Sequence, residues 1–340
     1  MENKKEMTAL DVSAATDTEQ PISKCTDNSI SEKAGKINDL ETISMTELYD
    51  TVYPSKPPLI DGLLYTGTYL FVGAPKLGKS YLMAQLAYHI STGTPLWDYT
   101  VRKGTVLYLA LEDDYRRLQE RLYRMFGTDS TDNLFFSVSA DSLGNGLDAQ
   151  LQRFMQEHTD TSLIIIDTLQ KVREVGGDNY SYANDYEIIT RLKQFADKYG
   201  ICILLVHHTR KQTADDKFNM ISGTTGLLGA ADGAFLLQKE KRTSNAATLE
   251  VSGRDQQDQK LYLNRNTETL LWELERTETE LWKEPPEPLL EKIVQLLSSG
   301  SNEWTGTPTE LCSILQLDIQ PNALTRKLNI NAGRLLNEYK

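Results

Sequence analysis

From Tyr69 onward the chain alternates short, continuously apolar runs with longer stretches of helical period. The apolar runs are Tyr69–Val72, Thr105–Leu111, Leu134–Val138, Ser162–Ile166 and Ile201–His207. A run that is apolar at every position has no solvent face, so each reads as a strand covered on both sides. Helical patterns separate them: from the loop after Val72 to about Ser91, then Tyr115–Phe126, Asp148–His158 and Tyr182–Tyr199, the last stopped by Gly200. Strands of this kind, each followed by a helix, predict an α/β fold with a mainly parallel central sheet. After Gly223 the rhythm tightens. Ala234–Gln238, Thr248–Val251, Lys260–Asn264 and Thr269–Leu274 follow one another too closely for intervening helices, which predicts an antiparallel extension of the sheet.

Both ends of the chain break this pattern. Residues 1–44 contain no aromatic residue and are rich in Thr, Ser, Asp, Glu and Lys, a composition that buries too little apolar surface to offset chain entropy, so a disordered tail is expected there. Glu284-Pro-Pro-Glu-Pro288 marks the other boundary. Beyond it, Leu289–Leu297, Pro308–Leu315 and Asn322–Tyr339 read as helices, the last carrying Arg326, Lys327 and Arg334. The expected division is a tail over 1–44, a core over 45–284 with a short helix near Met45–Tyr49 at its entry, and a C-terminal helical module over 285–340 of helix-turn-helix type. The alternative for that module is a small bundle used only for packing or assembly.

The chemistry concentrates where apolar runs end. The first run leads into Gly73-Ala74-Pro75-Lys76-Leu77-Gly78-Lys79-Ser80, then a helix opening with Tyr81. This is the G-x-x-x-x-G-K-[ST] phosphate loop in its strand–loop–helix setting. Its glycines let backbone N–H groups converge on phosphate oxygens, and the helix start adds free amides. Lys79 is expected at the β- and γ-phosphates and Ser80 on Mg²⁺, so the cofactors are ATP and Mg²⁺. Asp167 ends the run Leu163–Ile166 and is the expected carboxylate for the metal. Glu112 follows the second run, on a strand expected beside that of the phosphate loop, and is the choice for orienting or deprotonating the attacking water. Asp113 and Asp114 suit the start of the next helix. His207 and His208 close the fifth run. Side chains alternate along a strand, so only one of the two can face the nucleotide as a γ-phosphate sensor, and the sequence does not choose.

Bulk composition narrows the partners. Net charge is −12 over 340 residues, so any nucleic-acid contact must come from local basic loops. Two loops combine cations with aromatics: Lys171 and Arg173 through Tyr180 and Tyr182, and Arg210 and Lys211 through Lys217 and Phe218. The 3 cysteines, Cys25, Cys202 and Cys312, fit neither disulfide nor metal spacing. No apolar leader follows the N-terminal charges and no run reaches membrane-span length, so a cytoplasmic protein without a membrane partner is expected.

Together these residues resemble a family. Gly73–Ser80, Ala110-Leu-Glu112-Asp113, Ile164-Ile-Ile-Asp167-Thr168, His207-His208-Thr-Arg-Lys211, Ser222-Gly-Thr-Thr-Gly through Ala231-Asp232, and Ser252-Gly-Arg254-Asp occur in the order and spacing of RepA-like hexameric replicative helicases, within the RecA/DnaB-like P-loop ATPases. The resemblance spans Asp61 to Leu274 and implies a RecA-like core. It further implies a homo-oligomeric ring, hexameric in this family, with ATP at each subunit interface. Arg254 would be the arginine finger reaching the neighbour's nucleotide, and the two basic loops would line a channel for single-stranded DNA. The segment Arg116–Arg121 resembles the family's adenine-contacting helix, with Arg121 stacking on the base. The C-terminal helices resemble part of a winged helix, as found on such proteins in mobile elements. The function implied is an ATP-driven helicase for replication of a plasmid, phage or integrated element, working beside an initiator or primase. The alternatives are a RecA-like recombination or helicase-loading ATPase that does not unwind, and an ATP-switched DNA-binding regulator.

Overall fold

The computed structural model describes residues 42–53, 57–173, 182–209, 225–239, 241, 243–254, 256–278, 287–298 and 303–338. They divide into two compact units: 57–278, and a second in which 42–53 join 287–338.

The larger unit is built on one sheet of nine strands: β1 (Gly67–Gly73), β2 (Thr105–Ala110), β3 (Leu134–Ser137), β4 (Thr161–Asp167), β5 (Cys202–His207), β6 (Gly233–Gln238), β7 (Ala246–Gly253), β8 (Gln259–Arg265) and β9 (Trp272–Glu278). Their order is β3-β2-β4-β5-β1-β6-β7-β8-β9. All pairs from β3 to β6 are parallel, and β7, β8 and β9 add in antiparallel fashion. Parallel β1, β4 and β5 are buried at every position, whereas β7 and β8 alternate buried and partly exposed residues. That is the difference between a sheet covered on both faces and one covered on a single face.

Alternation along the central strands feeds two cores. Phe71, Tyr108, Ile165 and Leu204 point to one face. There they meet Leu82, Met83 and Leu86 of α2 (Lys79–Thr92), Leu118 and Met125 of α3 (Tyr115–Phe126), and the inner face of the antiparallel strands. Leu70, Leu109, Ile164 and Leu205 point to the other, against Leu147 and Leu151 of α4 (Leu147–Glu157) and Ile189 and Leu192 of α6 (Tyr182–Tyr199). Cys202 lies in the first of these cores, where burial pushes its thiol pKa up and leaves it inert packing. Two short helices, α5 (Leu169–Val172) and α7 (Thr225–Ala230), have no counterpart in the periodicity because each is little more than one turn.

Expected strand and helix boundaries hold within a few residues, but the placement of the first helix differs. The helix α1 (Met45–Asp50), expected as the entry to the core, belongs to the smaller unit. Its Ser44–Glu47 capping box starts it, and it packs on the helix Pro321–Ile330 through Asp50 with Arg326 at 3.2 Å and the Asn329 amide donating to Tyr49 O. Leu289, Ile293, Leu311, Cys312 and Leu324 form that unit's core. The single helix expected over Asn322–Tyr339 is two, Pro321–Ile330 and Ala332–Glu338. Asn331 interrupts it by turning its side-chain amide back to Lys327 O, a local bond that competes with helix continuation. Among the described residues no helix is long and apolar enough to cross a membrane. The tail expected over 1–44 lies outside the described residues up to position 41.

Candidate nucleotide site

The loop between β1 and α2 sets the geometry. Gly73 ends β1 where a Cβ would sit 2.8 Å from Leu237 O of the neighbouring β6, so a side chain has no room. Gly78 takes φ +98° at the start of α2, a left-handed conformation open to glycine. Lys76 also adopts positive φ at the exposed tip. With the chain curled this way, Lys79 folds back over the loop. Its Nζ donates to Gly73 O at 2.8 Å and Ala74 O at 3.1 Å and lies 3.3 Å from His208 Nδ1. Burial lowers the Lys79 pKa, against the opposing pull of Asp167 and Glu112.

Asp167, at the end of β4, faces the helix start. Its Oδ2 accepts from Ser80 Oγ at 2.8 Å and from Tyr108 OH at 2.9 Å. Burial raises the Asp167 pKa and the two hydroxyl donors oppose that rise. A hydroxyl touching a carboxylate fits a magnesium ion that takes one or two protein oxygens and completes its shell with phosphate and water. Glu112 is exposed at the end of β2 and accepts from Thr168 Oγ1 at 3.3 Å. Its strand is not beside β1 as expected, since β4 and β5 lie between them. Glu112 reaches the site from the neighbouring β4 side, and its charge is felt at both Lys79 and His208.

The two histidines separate as alternation requires. His207 is 4% exposed and turned into the sheet, while His208 faces Lys79. Burial, followed by the Lys79 charge, lowers the His208 pKa, so the ring is neutral at pH 7. An imidazole that accepts from an ammonium at Nδ1 carries its proton on Nε2.

Three expected residues are placed differently or apart. Arg121, expected on the base, is only 11% exposed at its side chain. It is bound to Asp113 at 2.6 Å and lies over the Tyr81 ring at 5.1 Å, so its charge is already engaged. Arg173, expected in a DNA loop, is buried against Asp185 at 2.9 Å. Lys171 is exposed, and Arg210, Lys211, Lys217, Phe218 and Tyr180 fall outside the described residues. Arg254 follows β7 beside Gly233, at the sheet edge opposite the phosphate loop. Four residue steps separate the two edges along β6, about 13 Å at strand rise. There Arg254 is exposed, with Nη2 donating to Gly229 O at 3.0 Å and its amide to Asp232 O. Arg254 therefore does not reach the phosphate loop of its own chain.

The site also contains residues that no motif announces. Tyr108 is fully buried on β2 and aims Asp167. Trp272, on β9, is fully buried and its indole N–H donates to Gly78 O at 3.3 Å. Gln85 of α2 fixes that tryptophan by both ends of its side-chain amide, Nε2 donating to Trp272 O at 2.9 Å and Oε1 accepting from the Trp272 backbone N–H at 2.8 Å. A lone polar residue on an otherwise apolar helix face is the available signal for Gln85. Its partner, 187 positions away, is not readable from the sequence.

A family model for an AAA domain matches residues 37–214, more than half of the chain, and the protein belongs to that family. No curated protein sequence matches it. Among solved structures, one ATPase domain is similar with a TM-score of 0.51 at 15% identity, covering 61% of this chain and 84% of that one. A DnaB-like replicative helicase, described with its interactions with primase, gives a TM-score of 0.49 at 17% identity over 61% of this chain and 58% of its own. A KaiC-like protein from Pyrococcus horikoshii OT3 gives 0.47 at 14% identity, over 66% and 99%. At such identities the likeness to the solved ATPase domain is one of fold. With the family match and the phosphate loop it defines the class: a P-loop ATPase of the AAA-domain family.

Proposed function

We propose that the protein is an ATP-hydrolysing motor acting on single-stranded DNA, of the RepA-like replicative helicase kind, that completes its active site between copies of itself. The observation carrying this reading is the split across the sheet. Lys79, Ser80, Asp167, Glu112 and His208 converge at one edge, while Arg254 stands exposed at the other. Residues 73–81 cradle the triphosphate. Ser80 and Asp167 would hold Mg²⁺, which would supply neutralisation of the negative charge on the phosphates. Lys79 exchanges its carbonyl partners for phosphate oxygens. Glu112 orients the attacking water, and His208 donates from Nε2 toward the γ-phosphate. Arg254 supplies the transition-state cation to the neighbouring subunit.

Support for DNA and for a hexameric ring comes from the resemblance over Asp61–Leu274, whose motifs run in the order of the replicative helicases. The regulator reading is weakened by the smaller unit. Both basic residues of its helix Pro321–Ile330 are already paired, Arg326 with Asp50 and Lys327 with Glu287, each at 3.2 Å. Cytoplasmic location, the mobile-element setting and a primase or initiator partner belong to this same proposal.

The test is strand displacement from a forked duplex with Mg-ATP by wild type, Lys79→Ala and Arg254→Ala, with oligomer mass measured alongside. The reading requires that wild type displace a strand and that neither variant does. ATP hydrolysis on single-stranded DNA without displacement, under conditions where rings form, would favour the loader. An Arg254→Ala protein that hydrolyses normally would remove the finger.

A further inference from the structure

Arg265 is a second arginine at the phosphate loop, and neither the motifs nor the resemblance points to it. It closes β8, which runs in the same direction as β1 after two antiparallel turns, and so emerges at the loop's edge of the sheet. Its guanidinium lies 5.4 Å from the Tyr81 ring and 6.0 Å from the Trp272 ring. Its Nη1 comes so close to the loop that a Cβ on Gly78 would be 2.9 Å away. The arginine has aromatic neighbours but no acid. No carboxylate pairs with it among the described residues, and its buried Nε has no hydrogen-bond partner. Lys239, just beyond β6, stands over the same tryptophan at 5.3 Å. Two cations held together without an anion are unfavourable unless a ligand supplies one.

The position fixes which part of a nucleotide that is. Glu112, Asp167 and His208 come from β2, β4 and β5, on one side of β1, and mark the γ-phosphate side of the loop. Arg265 and Lys239 come from β8 and β6, on the other side, over Gly78 and Tyr81. The amides that open a phosphate-loop helix serve the α- and β-phosphates, and Tyr81 is the later of these positions. We propose that Arg265 is a positioning residue that donates its in-plane N–H groups to the α-phosphate of the nucleotide held by its own chain, with Lys239 as an accessory cation. A guanidinium flanked by two rings keeps its plane fixed and its edge free, which suits a fork-shaped contact to phosphate oxygens. Arg121 does not compete for this role, because Asp113 already holds it.

The inference rests on the nucleotide reading of the loop, and the experiment separates the two. The full chain is titrated with Mg-ADP as wild type, Lys79→Ala, Arg265→Met and Arg265→Lys, with affinity from calorimetry and the bound phosphorus resonances from ³¹P NMR. Methionine keeps apolar stem volume against Tyr81 and Trp272, and lysine keeps the charge without the fork. The expected result is about a tenfold loss of ADP affinity in Arg265→Met and a smaller loss in Arg265→Lys. The α-phosphorus resonance should move relative to wild type while the β resonance stays. Equal affinity in wild type and Arg265→Met, or a change confined to the β resonance, overturns the assignment and leaves the loop's role intact. Failure of wild type itself to bind ADP overturns both. Melting without nucleotide reports folding; if Arg265→Met fails to fold, Arg265→Lys decides by the same resonance.

Discussion

The two halves of the sheet do different work at one site. The parallel half, β1 to β5, brings Lys79, Asp167, Glu112 and His208 to the ends of buried strands, where side chains leave the core and meet the ligand. The antiparallel half contributes no recognised motif at this edge of the sheet, yet Trp272 props Gly78 from β9 and Arg265 stands beside it from β8. The first half supplies chemistry from strand ends. The second supplies position from strand faces and register. A phosphate loop is therefore held from both sides, and only one side is written in local sequence.

The strongest way to break that contrast is Trp272→Ala. Removing a fully buried indole should cost about 3–5 kcal/mol of stability. If the tryptophan also shapes the loop, ADP affinity at a temperature where the variant is still folded should fall as well. A less stable protein with unchanged affinity would show a prop for the fold alone. Lys79→Ala should lower hydrolysis by about 10²–10³-fold while leaving the melting midpoint nearly unmoved, the pattern of a residue spent on chemistry. Tyr108→Phe removes one hydroxyl that aims Asp167. It should cost about 1.5 kcal/mol by urea denaturation and raise the Mg²⁺ concentration needed for half-maximal nucleotide binding. An unchanged Mg²⁺ requirement would place Tyr108 with the packing residues.

Smaller effects follow from titration. The folded-state pKa of His208 is depressed, so in the window just below its ordinary 6.5 the unfolded chain takes up the proton first. Stability should therefore fall as pH drops through that window, and His208→Gln should flatten the slope when denaturation midpoints are compared at about pH 7.5 and 5.5. Smallest of all, and outside both halves, Arg326→Ala breaks an exposed pair with Asp50 and should cost less than about 1 kcal/mol.

What is readable in the sequence follows the same division. Continuous apolar runs mark β1, β2, β4 and β5 to within a residue or two, and the phosphate loop, Asp167 and Glu112 are legible because each is tied to the end of such a run. Strand order is not legible. Glu112 is expected beside β1, and two strands intervene. Partners distant in sequence are also hidden. Spacing shows that Arg117 and Arg121 share a helix face, but not that Asp113 engages both. Arg173 reads as a loop cation because its acid, Asp185, comes twelve positions later, across a stretch with no periodicity. The choice between His207 and His208 needs only the phase of β5, which the pattern leaves open by one residue.

The placement of Arg254 has a consequence for the rate law. A cation fixed about 13 Å along the strand from its own chain's loop, at the opposite edge, does not touch a phosphate held in that loop. If it completes a neighbour's site, specific activity is not a constant of the protein. It should climb with protein concentration and level off once copies are paired, and small amounts of Arg254→Ala protein mixed into wild type should depress activity by more than their share.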